Sequence, residues 1–272
     1  MEIKDDLLVG AEVEFIKSPN YSGKFKAGQP DTAVIHYTAA PSVISAVRTL
    51  TNPRVKASAH LIVGRDGSVK QLIPFNVIAW HAGKSSYQGR DGLNSYSIGI
   101  EIDNAGPLTK SGSTFRDVYG NEYQPNQVVE GIHRNQTTPK FWHAYTEVQI
   151  EKVIDILELL IQTYKVKLIV GHEEIAPNRK TDPGPAFPLD KIRSELLGSD
   201  RDKDGADDVP DSGRVSASKL NIRATGEDKG KLVAMPLPKG SKVTILEQKG
   251  DWYRVKTEIE GWVSAKYVDT TD

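Results

Sequence analysis

TEVQIEKVIDILELLIQTYKVKLIVG, residues 146–171, decides the fold class, because it sets two periodicities end to end. The apolar residues Ile150, Val153, Ile154, Leu157, Leu160, Ile161 and Tyr164 recur at helical spacing, and Thr146 stands where an N-cap side chain belongs. The run KLIVG that follows is strand-like. Upstream lie further β-branched or apolar runs flanked by turn residues: TAVIHY at 32–37, HLIVG at 60–64, SVKQLI at 68–73 and YSIGIEI at 96–102. Strand runs combined with a long amphipathic helix predict an α/β domain whose central mixed β-sheet is flanked by helices.

At 272 residues and 38% hydrophobic content, the chain can fill one sizeable core and a small second one, so two domains are expected. Thirty-five basic against 36 acidic residues leave a net charge of -1, which gives no bulk electrostatic pull toward nucleic acid or a membrane surface. Cysteine is absent, so disulfides and thiolate metal ligands are excluded, and any zinc site must use His, Asp or Glu. The amino terminus MEIKDDLLVGAEVEF has no apolar run of signal-peptide length, and no other stretch approaches a membrane span. A soluble monomer without a secretion signal of its own is expected.

Between Asp103 and Tyr145 the chain is polar and rich in Gly, Asn, Thr and Pro, too long for an ordinary connection, and is read as a functional loop. Its aromatics Tyr119, Tyr123, Phe141 and Trp142 either stack on a sugar ring or pack the loop onto the body. His133 and His143 are read as solvent or packing residues. In GSDRDKDGADDVPDSGR, residues 198–214, apolar content collapses, which divides the chain into domains at 1–197 and 215–272. Asp200, Asp202, Asp204, Gly205, Asp208 and Asp211 repeat the oxygen-ligand spacing of a calcium loop. Pro210 and the lack of a following helix favour the other reading, a solvated acidic linker. Beyond it, LNIRA at 220–224, KGSKVTIL at 239–246, DWYRVK at 251–256 and GWVSAKYV at 261–268 are closely spaced short strands of a small all-β barrel. Trp252, Tyr253, Trp262 and Tyr267 divide between its core and a ligand groove.

Three separated fragments of the first domain carry chemistry: HYTAA beginning at His36, GIEID around Glu101, and GHEEIAPNRKTDPGP containing His172 and Asp182. Two imidazoles and a carboxylate fill three tetrahedral positions on zinc and leave the fourth for water. A metal so held lowers the pKa of bound water to about 7 and supplies a nucleophile without serine or cysteine. The combination points to a hydrolase. His36 alone, at the end of an apolar strand, would read as a structural residue. The HEEIA string is not a zincin helix, since Ala176 occupies the position of the second histidine.

Five ordered motifs, VIHYTAA, SAHLIVGRDGSVKQLIPF, AWHAG, LNSYSIGIEID and GHEEIAPNRKTDPGP, resemble the zinc-dependent N-acetylmuramoyl-L-alanine amidases, relatives of the peptidoglycan recognition proteins, from about residue 30 to 190. The carboxy-terminal runs resemble the bacterial Src-homology-three-like (SH3-like) domains that tether wall hydrolases to peptidoglycan. The resemblance implies zinc ligands His36, His172 and Asp182, with Glu101 and Lys180 as catalytic partners. It suggests groove positions for Trp80 and His81, while Asn94 and Arg179 either contact glycan or stem peptide or fix loops by hydrogen bonds. Some members carry tyrosine where this chain has Ala59, so Glu101 must carry proton transfer, and His60 is read as a packing residue or one that supports the ligands from behind. The expected partners are peptidoglycan glycan strands and stem peptides, at the cell wall in the periplasm or outside the cell, as in an endolysin. A non-catalytic recognition module and an anhydro-muropeptide recycling amidase are the alternatives.

Overall fold

The strand-like runs before residue 172 and the helical stretch after Thr146 all form, within a few residues of the expected ends. The computed structural model describes residues 1–198, 212–215, 219–227, 230–238, 240–249 and 252–257. The chain divides into two units, Met1–Ser199 and Asp200–Asp272. In the first, the elements that build or surround the site are, in chain order, β1 Val13–Phe15, β2 Thr32–Tyr37, α1 Val43–Leu50, β3 Leu61–Val63, β4 Val69–Gln71, β5 Ser97–Ile102, β6 Pro107–Ser111, β7 Thr114–Arg116, β8 Glu122–Tyr123, β9 Val128–Ile132, β10 Pro139–His143, α2 Glu147–Tyr164, β11 Leu168–Gly171, α3 His172–Ile175 and α4 Leu189–Leu197. The main sheet runs β11-β2-β5-β3-β4-β1. Its β11-β2, β2-β5 and β5-β3 pairs are parallel and β3-β4 is antiparallel, so the sheet is mixed as expected.

Helix α2 starts at a reciprocal capping box: Thr146 Oγ1 accepts the Gln149 amide at 3.1 Å, and Gln149 Oε1 accepts the Thr146 amide at 3.1 Å. It stops at Lys165, whose φ of 59° is left-handed. Val153, Ile156, Leu157 and Leu160 face one side of the sheet and pack with Ala33, Ile35, Ile98, Ile100, Ile102 and Ile169. Each buried aliphatic contributes about 1.5–3 kcal/mol. Because strand side chains alternate, Val34 and His36 of β2 and Gly99 and Glu101 of β5 fall on the opposite face. There Val34 packs with Val170 and Ile175, and Ala46 of α1 covers Ile62. The β2-β5 register places Glu101 directly beside His36.

The segment read as a loop is instead a five-stranded antiparallel sheet, ordered β8-β7-β6-β10-β9. Its strands are two to five residues long and mostly solvent-facing, so they lack the apolar runs by which strands are recognised. Most of its aromatics pack the segment rather than a ligand. Phe141 lies edge-on to Phe115, Tyr123 tilts over His143, and Trp142 stacks on His133. Only Tyr119 of the four is largely exposed, at 58%.

His60 is a packing residue, as expected. Its ring lies between Phe25 and Phe75, its Nε2 donates to the Val77 carbonyl, and its Nδ1 accepts the Gly99 amide. Burial pushes both His60 and His143 from the ordinary 6.5 down to about 4. Folded, these rings stay neutral; unfolded, they protonate near 6.5, so below that pH the unfolded chain binds more protons and gains. For His60 the difference corresponds to about 3 kcal/mol once the pH reaches 4. The melting temperature of the metal-free protein should therefore be level above neutrality and fall steadily from pH 6.5 toward 4. A flat profile across that interval would contradict the burial of these rings.

In the second unit the regular elements among the described residues are all strands. Ser212–Arg214, Lys242–Lys249 and Trp252–Lys256 form an antiparallel sheet with a bulge between Ile245 and Glu247, and Lys219–Leu220 pairs with Leu237–Pro238. The strand at Ser212–Arg214 falls inside the stretch read as linker. Val215 and Leu237 are buried, Trp252 is half-buried and Tyr253 exposed. Trp262 and Tyr267 lie outside the described residues. Among the described residues, no helix is long and apolar enough to cross a membrane.

Candidate metal centre

The site forms at the carboxyl ends of the parallel strands, where open α/β sheets characteristically bind ligands. His36 is contributed by β2, and His172 comes directly after the neighbouring strand β11. Asp182 reaches them from the loop after α3. Gly171 lets that loop approach, since a Cβ there would lie 2.8 Å from Pro183 Cδ. The loop is tied down by the Glu173 amide donating to the Asp182 carbonyl, by Tyr37 Oη bonded to Thr181 Oγ1 at 2.6 Å, and by Tyr145 donating to the Pro183 carbonyl. On its outer side, Arg134 of the inserted segment donates to Glu173 at 2.8 Å.

His36 Nδ1 lies 2.8 Å from His172 Nδ1, and each of these nitrogens is 2.9 Å from Asp182 Oδ2. All three side chains are buried. Burial, and after it the neighbouring His172, lowers the pKa of His36 to about 4. Burial works to raise Asp182, but its contacts with His172 and His36 outweigh it and hold the carboxylate well below its usual range. His172 Nε2 is 3.1 Å from the Ala82 carbonyl, which only accepts, so its proton sits there and Nδ1 turns a bare lone pair to the cluster. Two nitrogens and a carboxylate oxygen facing one point suit zinc, and among the described residues this is the group able to hold a metal.

Glu101 stands beside His36. Its Oε2 is buried and has no hydrogen-bond partner, and burial, followed by the nearby Asp182, raises its pKa well above the ordinary value while Lys180 pulls the other way. Glu101 also borders a pocket of about 130 Å3 lined by Thr38, Ala39, Ser45, Thr49 and Tyr119. Tyr119 lines this pocket and donates to the Ala39 carbonyl at 3.1 Å.

The four suggested substrate contacts each bond to the protein itself. His81 is buried behind His36, with both ring nitrogens engaged. Asn94 Oδ1 accepts the His81 and Ala82 amides, and Arg179 Nη2 donates to the Ala82 and Lys84 carbonyls, which are the bonds of loop-fixing residues. Trp80 is half-buried, its indole donating to Ser22. Asp200, Asp202, Asp204, Asp208 and Asp211, the suggested calcium ligands, lie outside the described residues.

Compared with known families, residues 26–185 match the model of the N-acetylmuramoyl-L-alanine amidases. The chain belongs to that family. Residues 218–269 match the bacterial SH3 domain. The amidase is 31% identical over 212 residues to the 1,6-anhydro-N-acetylmuramyl-L-alanine amidase AmpD of Escherichia coli, covering 71% of this chain and 96% of AmpD. To the N-acetylmuramoyl-L-alanine amidase AmiD of the same organism it is 31% identical over 175 residues, covering 61% of this chain and 53% of AmiD. A crystal structure of a selenomethionine AmpD derivative superposes with a TM-score of 0.50 at 28% identity, over 72% of this chain and 99% of that one. The amidase family is zinc-dependent, in keeping with the donor set. Tyr37, Thr181, Tyr145 and Arg134, which brace the ligand loop, escaped the sequence reading. Tyr37 and Thr181 each adjoin a ligand in the chain and could have been found on that ground; Tyr145 and Arg134 carry no such signal.

Proposed function

We propose that this amidase hydrolyses the amide between the lactyl group of N-acetylmuramic acid and L-alanine of the stem peptide, with His36, His172 and Asp182 holding zinc. Zinc supplies Lewis acidity toward the amide carbonyl and makes water acidic enough to ionise near neutral pH. Glu101 takes the proton of the attacking water and returns it to the departing alanine nitrogen. Lys180 places positive charge beside the oxyanion. The observation that carries this reading is the buried, unpartnered Oε2 of Glu101 next to the three convergent ligand atoms. A module that only bound muropeptides would have no use for it.

The bacterial SH3 match supports delivery to wall peptidoglycan through the carboxy-terminal domain, at the periplasmic or outer face of the cell. A second reading is favoured by the name of the E. coli AmpD relative, which specifies a 1,6-anhydro-N-acetylmuramyl substrate. Both are tested by incubating sacculi and, separately, anhydro-muropeptide with zinc-loaded and chelator-stripped protein. Zinc-dependent release of alanine amino termini from sacculi, without new reducing sugar ends, is expected. Release from the soluble fragment alone would favour recycling, and release from neither would leave a binding module.

A further inference from the structure

We propose that His81 is a positioning residue for the metal centre: it holds His36 in the tautomer that turns the Nδ1 lone pair toward His172 and Asp182. The role rests on reading that cluster as the zinc site. His81 Nδ1 is 3.0 Å from His36 Nε2, and His81 Nε2 is 3.2 Å from the Ser97 carbonyl oxygen. A carbonyl only accepts, so the ring proton of His81 is on Nε2 and its Nδ1 is a bare acceptor. The single proton in the contact between the two rings therefore belongs to His36 Nε2. That leaves His36 Nδ1 unprotonated, 2.8 Å from His172 Nδ1 and 2.9 Å from Asp182 Oδ2.

Two consecutive residues thus set both imidazoles, the His81 side chain acting on His36 and the Ala82 carbonyl on His172. Their own position is fixed, since Asn94 Oδ1 accepts both their amides, at 3.0 and 2.7 Å, and Arg179 braces the Ala82 carbonyl at 2.9 Å. The sheet is shaped to the ring as well. A Cβ on Gly99 would lie 2.3 Å from His81 Cγ, so glycine in the GIEID motif leaves the space that the ring fills. Outer hydrogen bonds of this kind fix ligand tautomer and orientation, and losing one characteristically costs about 10–100-fold in metal affinity.

The test compares His81→Leu, which fills space without an acceptor, with His81→Asn, whose carboxamide oxygen can stand close to the Nδ1 position. Zinc affinity of the full chain is measured by competition with a chromophoric chelator, alongside the melting curve of each metal-free variant. His81→Leu should weaken zinc by about 10–100-fold, and His81→Asn should restore most of that loss. Ring-nitrogen NMR shifts of the metal-free parent give an independent reading and should show His36 protonated at Nε2. Proton on Nδ1, leucine binding zinc like the parent, or folded asparagine failing as badly as folded leucine would each overturn the assignment. Should His81→Leu not fold, the parent spectrum and His81→Asn still decide it. Failure of the parent to bind zinc at all would instead sink the proposed metal site, whereas the tautomer remains readable without metal.

Discussion

A Glu101→Gln chain is expected to bind zinc and sacculi like the parent and to lose about three orders of magnitude in turnover, within the range of general acid–base catalysis. The substitution changes one oxygen to nitrogen and conserves volume, so packing beside His36 should survive. What it removes is a group able to take and return a proton. Glu101 is suited to that task because burial and the neighbouring Asp182 raise its pKa while Lys180 opposes them, so its proton is held more firmly than on an exposed carboxylate. Single-turnover release of alanine amines, with metal content checked in the same samples, is the measurement. Turnover within tenfold of the parent would remove Glu101 from the mechanism.

For Asp182→Ala the expected result is loss of zinc itself, more than 100-fold in affinity, with activity falling to background at any practical zinc concentration. An outer hydrogen-bonding partner already accounts for about 10–100-fold, and Asp182 is proposed as a direct ligand. It is the only negative charge in the three-atom cluster, and without it two bare imidazole nitrogens would face each other at 2.8 Å. Equilibrium dialysis against zinc, with circular dichroism to confirm the fold, gives the answer. Retention of stoichiometric zinc at parental affinity would mean that the metal sits elsewhere.

The sheet and its principal helix were legible because their signals are local. TAVIHY and YSIGIEI bury side chains on both faces of the sheet, and α2 buries a single stripe, so periodicity separates the strands from the helix. The three candidate ligands were singled out through motif order rather than from any one residue. What escaped was long-range or weakly patterned. The inserted sheet is built from strands too short and too wet to differ from loop, and its aromatics were left between stacking on a sugar and packing the segment because nothing in the sequence reveals Phe115 opposite Phe141 or His133 beneath Trp142. Trp80 and His81 of AWHAG were given groove positions for the same reason. His81 lies 45 residues from His36 in sequence, and only the closed sheet brings their ring nitrogens to 3.0 Å.

The order in which the sheet receives its ligands also bears on biosynthesis. His36 and Glu101 are set side by side by the β2-β5 pairing alone, whereas His172 and Asp182 arrive only when β11 adds to the edge of the sheet and its following loop is pinned. A chain cut short before residue 172, or still emerging from the ribosome, carries Glu101 but only one of the three candidate ligands. On the proposed mechanism, hydrolytic competence therefore waits for the last strand of the sheet and the loop that follows it.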